Sequence, residues 1–407
     1  MKRIYTFFFV LFLFLQVYTQ NNQNWITDLD TLEHHFLQKE HLFIHFSKRK
    51  FKEEVRKLKM MPLQTLEEQY WSLNTLLTKF NNPLISLENK EFNRFPFKIK
   101  EFESEYYITS IHQDFSFVIG YKLQRINNFL LKRILKNANS INVVNIKSYL
   151  EFYQFLKLDT LSLELLSDKD KRITIKIPFE KEYNLDEMAK VIPKKTPFYL
   201  EKQDRWFWQY GINFGQQVYF KYNVGLSSEF FKQTMDSLQI TELSLAKNYH
   251  LPLQQIYDAS SFDDFTEKLF LKFKKRRYKK LFIDFRNNTI GNVLAFEKFI
   301  LKLKKLKRIN KKNRLFLFVD KTVSSSVIET LLKLQKETKA QIIGEKIIGI
   351  PCSTDKINSF YLPNSEYKIY FPSQKIERVI IQPNILVNCT FEHYQNGVDP
   401  ILQKSLE

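Results

Sequence analysis

The sequence predicts an α/β protein, α+β overall, and three observations carry that expectation. Apolar residues recur at helical spacing early in the chain, short alternating stretches fill its middle, and strand and helix patterns alternate through the last third. With 407 residues and 44% hydrophobic content, the chain buries a sizeable core and has the length of two or three domains.

The first twenty residues stand apart. Lys2 and Arg3 precede the apolar stretch from Ile4 to Leu15, and Gln20, Asn21 and Asn22 follow, which is the layout of a secretory signal. The stretch is shorter than the roughly 20 apolar residues of a membrane-spanning helix. The expectation is an exported chain, periplasmic or extracellular, with no stable membrane span once the signal is removed.

From Trp25 to about Leu87, "DLDTLEHHFLQKE", "FSKRKFKEEVRKLKMM" and "TLEEQYWSLNTLLTKF" repeat apolar residues every three or four positions, so three helices are expected. Asp28 or Asp30 suits the cap of the first helix and Thr65 that of the third. From Phe95 to about Phe179, "YYITSI", "FSFVIGYKLQRIN" and "RITIKIPF" read as strands, with Gly120 and Asn127-Asn128 at turns and a helical insertion from Ile146 to Leu158. After Lys280 come strand "KKLFIDF", helix "NVLAFEKFILKLKKL", strand "RLFLFV", helix "SSVIETLLKLQKE" and strand "AQIIG". This order implies βαβ crossovers and a largely parallel sheet. Two polar clusters, "DFRNN" and "DKTVSSS", fall where strands end and helices begin, the edge at which such sheets build sites.

The formal charge of +19 comes mostly from scattered lysines. The densest runs, "KFKKRRYKK" and "KLKKLKRINKK", each precede a predicted strand and read as solvated helix ends in preference to a nucleic-acid patch. No histidine spacing signals a metal site and no glycine-rich phosphate loop is present, so neither metal nor cofactor is expected. The spacing of Cys352 and Cys389 demands no disulfide. Ser324, Ser325 and Ser326 sit between a strand and a helix, where a serine is either a cap or a nucleophile favoured by the helix dipole.

Several stretches together resemble the carboxyl-terminal processing, or tail-specific, serine peptidases, particularly their secreted bacterial branch. The family shows D-L-R-x-N-x-G-G-N, T-F-S-S-A or S-A-S-E, G-E-P-T-x-G-K-P, L-P-N-S, P-D-I and G-x-D-P-x-L. In the same order this chain has "DFRNNTIGN" (284–292), "TVSSS" (322–326), "GEKIIGIP" (344–351), "LPNS" (362–365), "QPNI" (382–385) and "GVDPIL" (397–402). The resemblance implies a spiral ββα core like those of the Clp protease and crotonase, behind an amino-terminal helical bundle and a small PDZ-like β-rich module. The boundaries expected on it are a signal at 1–20, a helical module at 21–92, the PDZ-like module at 93–185 and the core at 186–407.

The same resemblance implies site residues. The nucleophile falls on Ser325 or Ser324, depending on which flanking motif sets the register, and the oxyanion donors on Gly291 and Ser326. Asp284, Arg286 and Asn288 correspond to the loop that holds the turn by buried hydrogen bonding. The departures concern the base. Ile350 stands where many members carry the general-base lysine, and Leu84 where others carry a histidine; neither accepts a proton. Ile290 replaces the first glycine of the N-x-G-G pair, and Lys346 is a speculative substitute base. The expected function is a peptidase-like protein, weak or inactive in catalysis, that binds peptide or protein segments such as carboxyl termini, and not nucleic acid. The alternatives are an active serine endopeptidase that cleaves exported or unfolded proteins with a rearranged base, and an envelope scaffold.

Overall fold

A computed structural model describes residues 23–61, 65–82, 84–88, 97–132, 134, 160–178, 187–249, 251–275, 278–288, 293–352 and 356–407. The expected signal and the helical insertion at 146–158 lie outside the described residues. The chain divides into two compact units, one formed by 1–191 with 356–375 and the other by 192–355 with 376–407.

In the first unit three helices cover 23–37, Lys48–Met60 and Leu66–Thr78. The third starts on a capping box: the Thr65 hydroxyl accepts from the Glu68 amide at 3.1 Å, and the Glu68 carboxylate accepts from the Thr65 amide at 3.0 Å. Asp28 does not cap the first helix, which already runs through it and Asp30. Its buried carboxylate instead accepts from the amides of Asn364 and Ser365, at 2.8 and 2.9 Å. The segment "LPNS", distant in sequence, is thereby held against the first helix.

A three-stranded antiparallel sheet joins Ser86–Leu87, Lys368–Pro372 and Ile357–Tyr361. A seven-stranded sheet runs Phe97–Phe102, Glu105–His112, Lys122–Ile126, Thr160–Leu166 and Arg172–Pro178, with Phe129–Leu130 and Met188–Lys190 paired at its side. Thr160–Leu166 alternates half-buried and buried positions, as a strand with one face on a core does. One apolar core joins the three helices and both sheets, from Trp25, Phe36 and Phe51 to Ile108, Leu163 and Phe371.

The second unit is built on a six-stranded sheet in the order Ile385–Leu386, Gln341–Gly344, Leu315–Val319, Lys280–Asp284, Gln217–Tyr222 and Phe207–Ile212. All neighbours are parallel except the last pair, an antiparallel hairpin. Both faces are covered, which is why Leu315–Val319 is apolar at every position. Leu281, Ile283, Leu315 and Leu317 pack with Phe262, Phe296, Phe299 and Leu331 from the helices Phe262–Lys275, Val293–Lys305 and Ser325–Glu337. Phe282, Phe316 and Phe318 point the other way, with Trp208, Tyr219 and Ile401. Ion pairs lace the outer helices, among them Lys298–Asp263 at 2.6 Å and Lys333–Glu297 at 2.7 Å.

Candidate functional site

The two polar clusters lie at the carboxyl ends of adjacent parallel strands, Lys280–Asp284 and Leu315–Val319. They are tied together. The Ser324 amide donates to the Asn288 carbonyl at 3.1 Å, and the Asn287 amide donates to the Thr322 hydroxyl at 2.9 Å. Asn287 takes a left-handed conformation, φ 55°, which lets the chain reverse there at modest cost because asparagine tolerates that region.

Under this surface lies a buried charge network. Arg286 donates Nη1 and Nη2 to the two oxygens of Asp399, both at 2.8 Å, and Nη2 also to Asp284 Oδ2 at 2.6 Å. Its guanidinium lies 4.1 Å from the centre of the Tyr199 ring. Tyr219 donates its hydroxyl to Asp284, and Lys221 donates to the Arg286 carbonyl while standing 3.7 Å from Asp284 Oδ1. Two cations face two carboxylates, so the cluster is neutral as a whole, the condition under which buried ions are tolerated.

Burial alone would raise the Asp284 carboxyl, but the charges of Arg286 and Lys221 and the bonds they make outweigh it and hold the group below the usual carboxylate range. Burial lowers Lys221 from its ordinary value despite the pull of Asp284. It also pushes the Tyr219 hydroxyl far up, so that this group remains a donor. Asn288, fully buried, donates its side-chain amide to the Tyr222 carbonyl at 2.8 Å.

Ser324 is the N-cap of the helix Ser325–Glu337 and makes no side-chain cap bond. Its hydroxyl pairs with that of Ser326 at 3.2 Å. Ser324 and Ser325 are half-buried and Ser326 is buried. Among the described residues no lysine, histidine or carboxylate hydrogen-bonds the hydroxyl of Ser324 or Ser325. Lys346 is exposed. The neighbouring Glu345 turns its carboxylate to the Lys321 amide at 3.2 Å, and burial, with Asp320 adding, pushes that carboxyl up. Ile350 is buried, and the Cys352 amide beyond it donates to the Ser325 carbonyl at 3.1 Å. The segment that bears the isoleucine therefore runs alongside the start of the serine helix. Leu84 is buried in the first unit. Ile290 and Gly291 lie outside the described residues.

Sequence reasoning missed three members of the network. Asp399 stands in "GVDPIL", a stretch recognised for its motif and not for a charge to be paired. Tyr219 and Lys221 belong to "QVYFKY", and a lysine inside a strand with buried neighbours on both sides was the available signal. Cys352 is buried and Cys389 half-buried.

No family model and no curated protein matches this chain. Solved structures do. Mature CPAF superposes with a TM-score of 0.58 at 10% identity, covering 94% of this chain and 96% of that one. Mature CPAF complexed with lactacystin superposes at 0.57 and 8% identity, over 94% and 98%. The chain shares the fold of mature CPAF. At such identity the likeness speaks of fold alone: a mixed α+β chain with amino-terminal helices and β-rich modules. The photosystem II D1 C-terminal processing protease also matches, at a TM-score of 0.36 and 9% identity, too loosely to carry an argument.

Proposed function

We propose that this chain is an exported tail-specific peptidase-like protein that binds peptide segments, carboxyl termini among them, with catalysis weak or lost. The spiral ββα core and the PDZ-like module are part of the same reading. It rests on the order of the six motifs and on a fold shared with mature CPAF over nearly the whole chain. A PDZ-like module would take a terminus as an added strand and hold its carboxylate on backbone amides. Among the described residues no helix is long and apolar enough to cross a membrane.

One observation carries the reading of weak catalysis. The hydroxyls of Ser324 and Ser325 stand at a helix N-terminus with no lysine, histidine or carboxylate bonded to them among the described residues, while the expected lysine position is a buried isoleucine. A serine hydroxyl attacks a peptide carbonyl only as its proton leaves, and general-base assistance is worth about 10²–10⁴ in rate. The helix dipole favours an anion nearby but accepts no proton.

A fluorophosphonate probe tests the assignment. The full mature chain is expected to stay unlabelled, while a library of immobilised carboxyl-terminal peptides shows saturable binding. Labelling abolished by Ser324→Ala or Ser325→Ala would make the chain an active serine peptidase and end the proposal. A CPAF structure holds lactacystin, so that compound serves as a second probe.

A further inference from the structure

The basic runs singled out in the sequence have a place in the second unit that the peptide-binding reading does not use. The helices Phe262–Lys275 and Val293–Lys305 lie side by side, laced by Lys298–Asp263 at 2.6 Å and Lys302–Glu267 at 3.1 Å. The second of these pairs lines one side of a surface groove of about 460 Å³ between the helices. Phe270, Leu271 and Leu306 give it apolar lining, Lys274 and Lys305 give it cations, and Lys302 lines it paired with Glu267. Leu271 is 50% exposed, and on the adjacent helix Leu301 is 58% exposed. The last turns of the two helices hold Lys272, Lys274, Lys275, Lys302, Lys304 and Lys305. Among the described residues Lys274 and Lys305 have no carboxylate partner.

We propose that this two-helix face docks on the surface of a bilayer rich in anionic phospholipid. Interleaved cations and exposed leucines on helices lying side by side are the composition of an interfacial surface, with apolar side chains entering the headgroup boundary and charges meeting lipid phosphates. Lysine stems cover apolar surface while their ammonium groups reach outward. All six cations of the two last turns are lysines. A point charge on a flexible stem suits a diffuse anionic surface, whereas recognition of one particular carboxylate or phosphate favours the planar fork of arginine. A nucleic-acid backbone would meet the cations and leave the leucines uncovered.

Co-sedimentation of the mature full-length chain with vesicles tests this. The chain is expected to pellet with vesicles of equal parts phosphatidylglycerol and phosphatidylcholine, to remain in solution with phosphatidylcholine alone, and to be released by added salt. Lys274→Glu, Lys275→Glu and Lys305→Glu together are expected to weaken the association by roughly a hundredfold. Leu271→Ser with Leu301→Ser is expected to weaken it by about tenfold, because their insertion is lost. A control with the same charge change in the first unit, Lys169→Glu, Lys171→Glu and Lys176→Glu, should retain binding. Circular dichroism and melting temperature are recorded for every variant, so that a folding defect is told apart from lost docking.

The proposal is overturned by equal binding to neutral vesicles, by wild-type binding of the lysine variant, or by a control variant that loses as much as the groove variant. It is equally overturned, in favour of an acidic protein partner, if soluble polyglutamate binds the face and the leucine variant pellets like wild type.

Discussion

Replacing Arg286 by methionine would expose what the buried network contributes. The substitution keeps most of the volume and removes the cation that bonds to Asp399 twice at 2.8 Å and to Asp284 at 2.6 Å. Asp284 then keeps Lys221, 3.7 Å from its Oδ1, as its cation, and Asp399 loses both of its guanidinium bonds. Breaking a buried ion pair by removing one partner costs about 3–5 kcal/mol, because the remaining charge is desolvated without compensation. With m near ~3 kcal/mol/M for a unit of this size, the urea midpoint falls by about 1–1.7 M at neutral pH. Tryptophan fluorescence reports the transition, since Trp208 packs against Tyr219 with ring centres 5.3 Å apart.

The pH dependence supplies the second, independent readout. In the wild type the Asp284 carboxyl is held below its ordinary value of 3.8, so its contribution is present above that value and lost as pH falls through the lower folded value. In the variant the largest downward influence is gone and burial raises the group. A proton then neutralises it in mild acid and relieves the penalty. The gap between wild type and variant is therefore widest at neutral pH and narrows as the solution is acidified. A midpoint shift below about 0.5 M, or a gap that stays constant into acid, would refute the ion-network account.

Two further perturbations test the geometry elsewhere. Gly344 has φ +134°, and a Cβ there would lie 2.0 Å from the Val319 carbonyl oxygen; Gly344→Ala is expected to cost at least ~2 kcal/mol, read as a lowered melting temperature of the second unit. Asp28→Ala leaves the amides of Asn364 and Ser365 without their acceptor. It is expected to cost about 2–3 kcal/mol and to speed hydrogen exchange at those two amides, which an unchanged exchange rate would contradict.

The strand-helix alternation after Lys280 was legible because each signal is local. "LFLFV" is apolar at every position as a strand covered on both faces must be, and "FEKFILKLKKL" repeats at helical spacing. The Thr65 cap was legible for the same reason: a hydroxyl three residues before Glu68 satisfies an amide of its own helix whatever lies around it. Asp28 was misread because a side chain's nearest candidate partner in sequence need not be its partner in space. The turns "DFRNN" and "DKTVSSS" were visible as polar clusters at strand ends, but their bonds to one another were not.

By itself the sequence determined the kinds of element, their order and the presence of polar clusters at two turns, since periodicity, caps and turn chemistry act over a few residues. Tertiary structure alone decided which distant charges meet: Asp399 with Arg286, 113 residues apart, and Lys221 with the Arg286 carbonyl, 65 apart. It also decided that Lys356–Lys375 folds into the first unit and not with its neighbours in the chain. The physical reason is that pairing a buried charge depends on which strands become adjacent and which face each residue takes. Those are properties of the assembled sheet, and no window of sequence contains them.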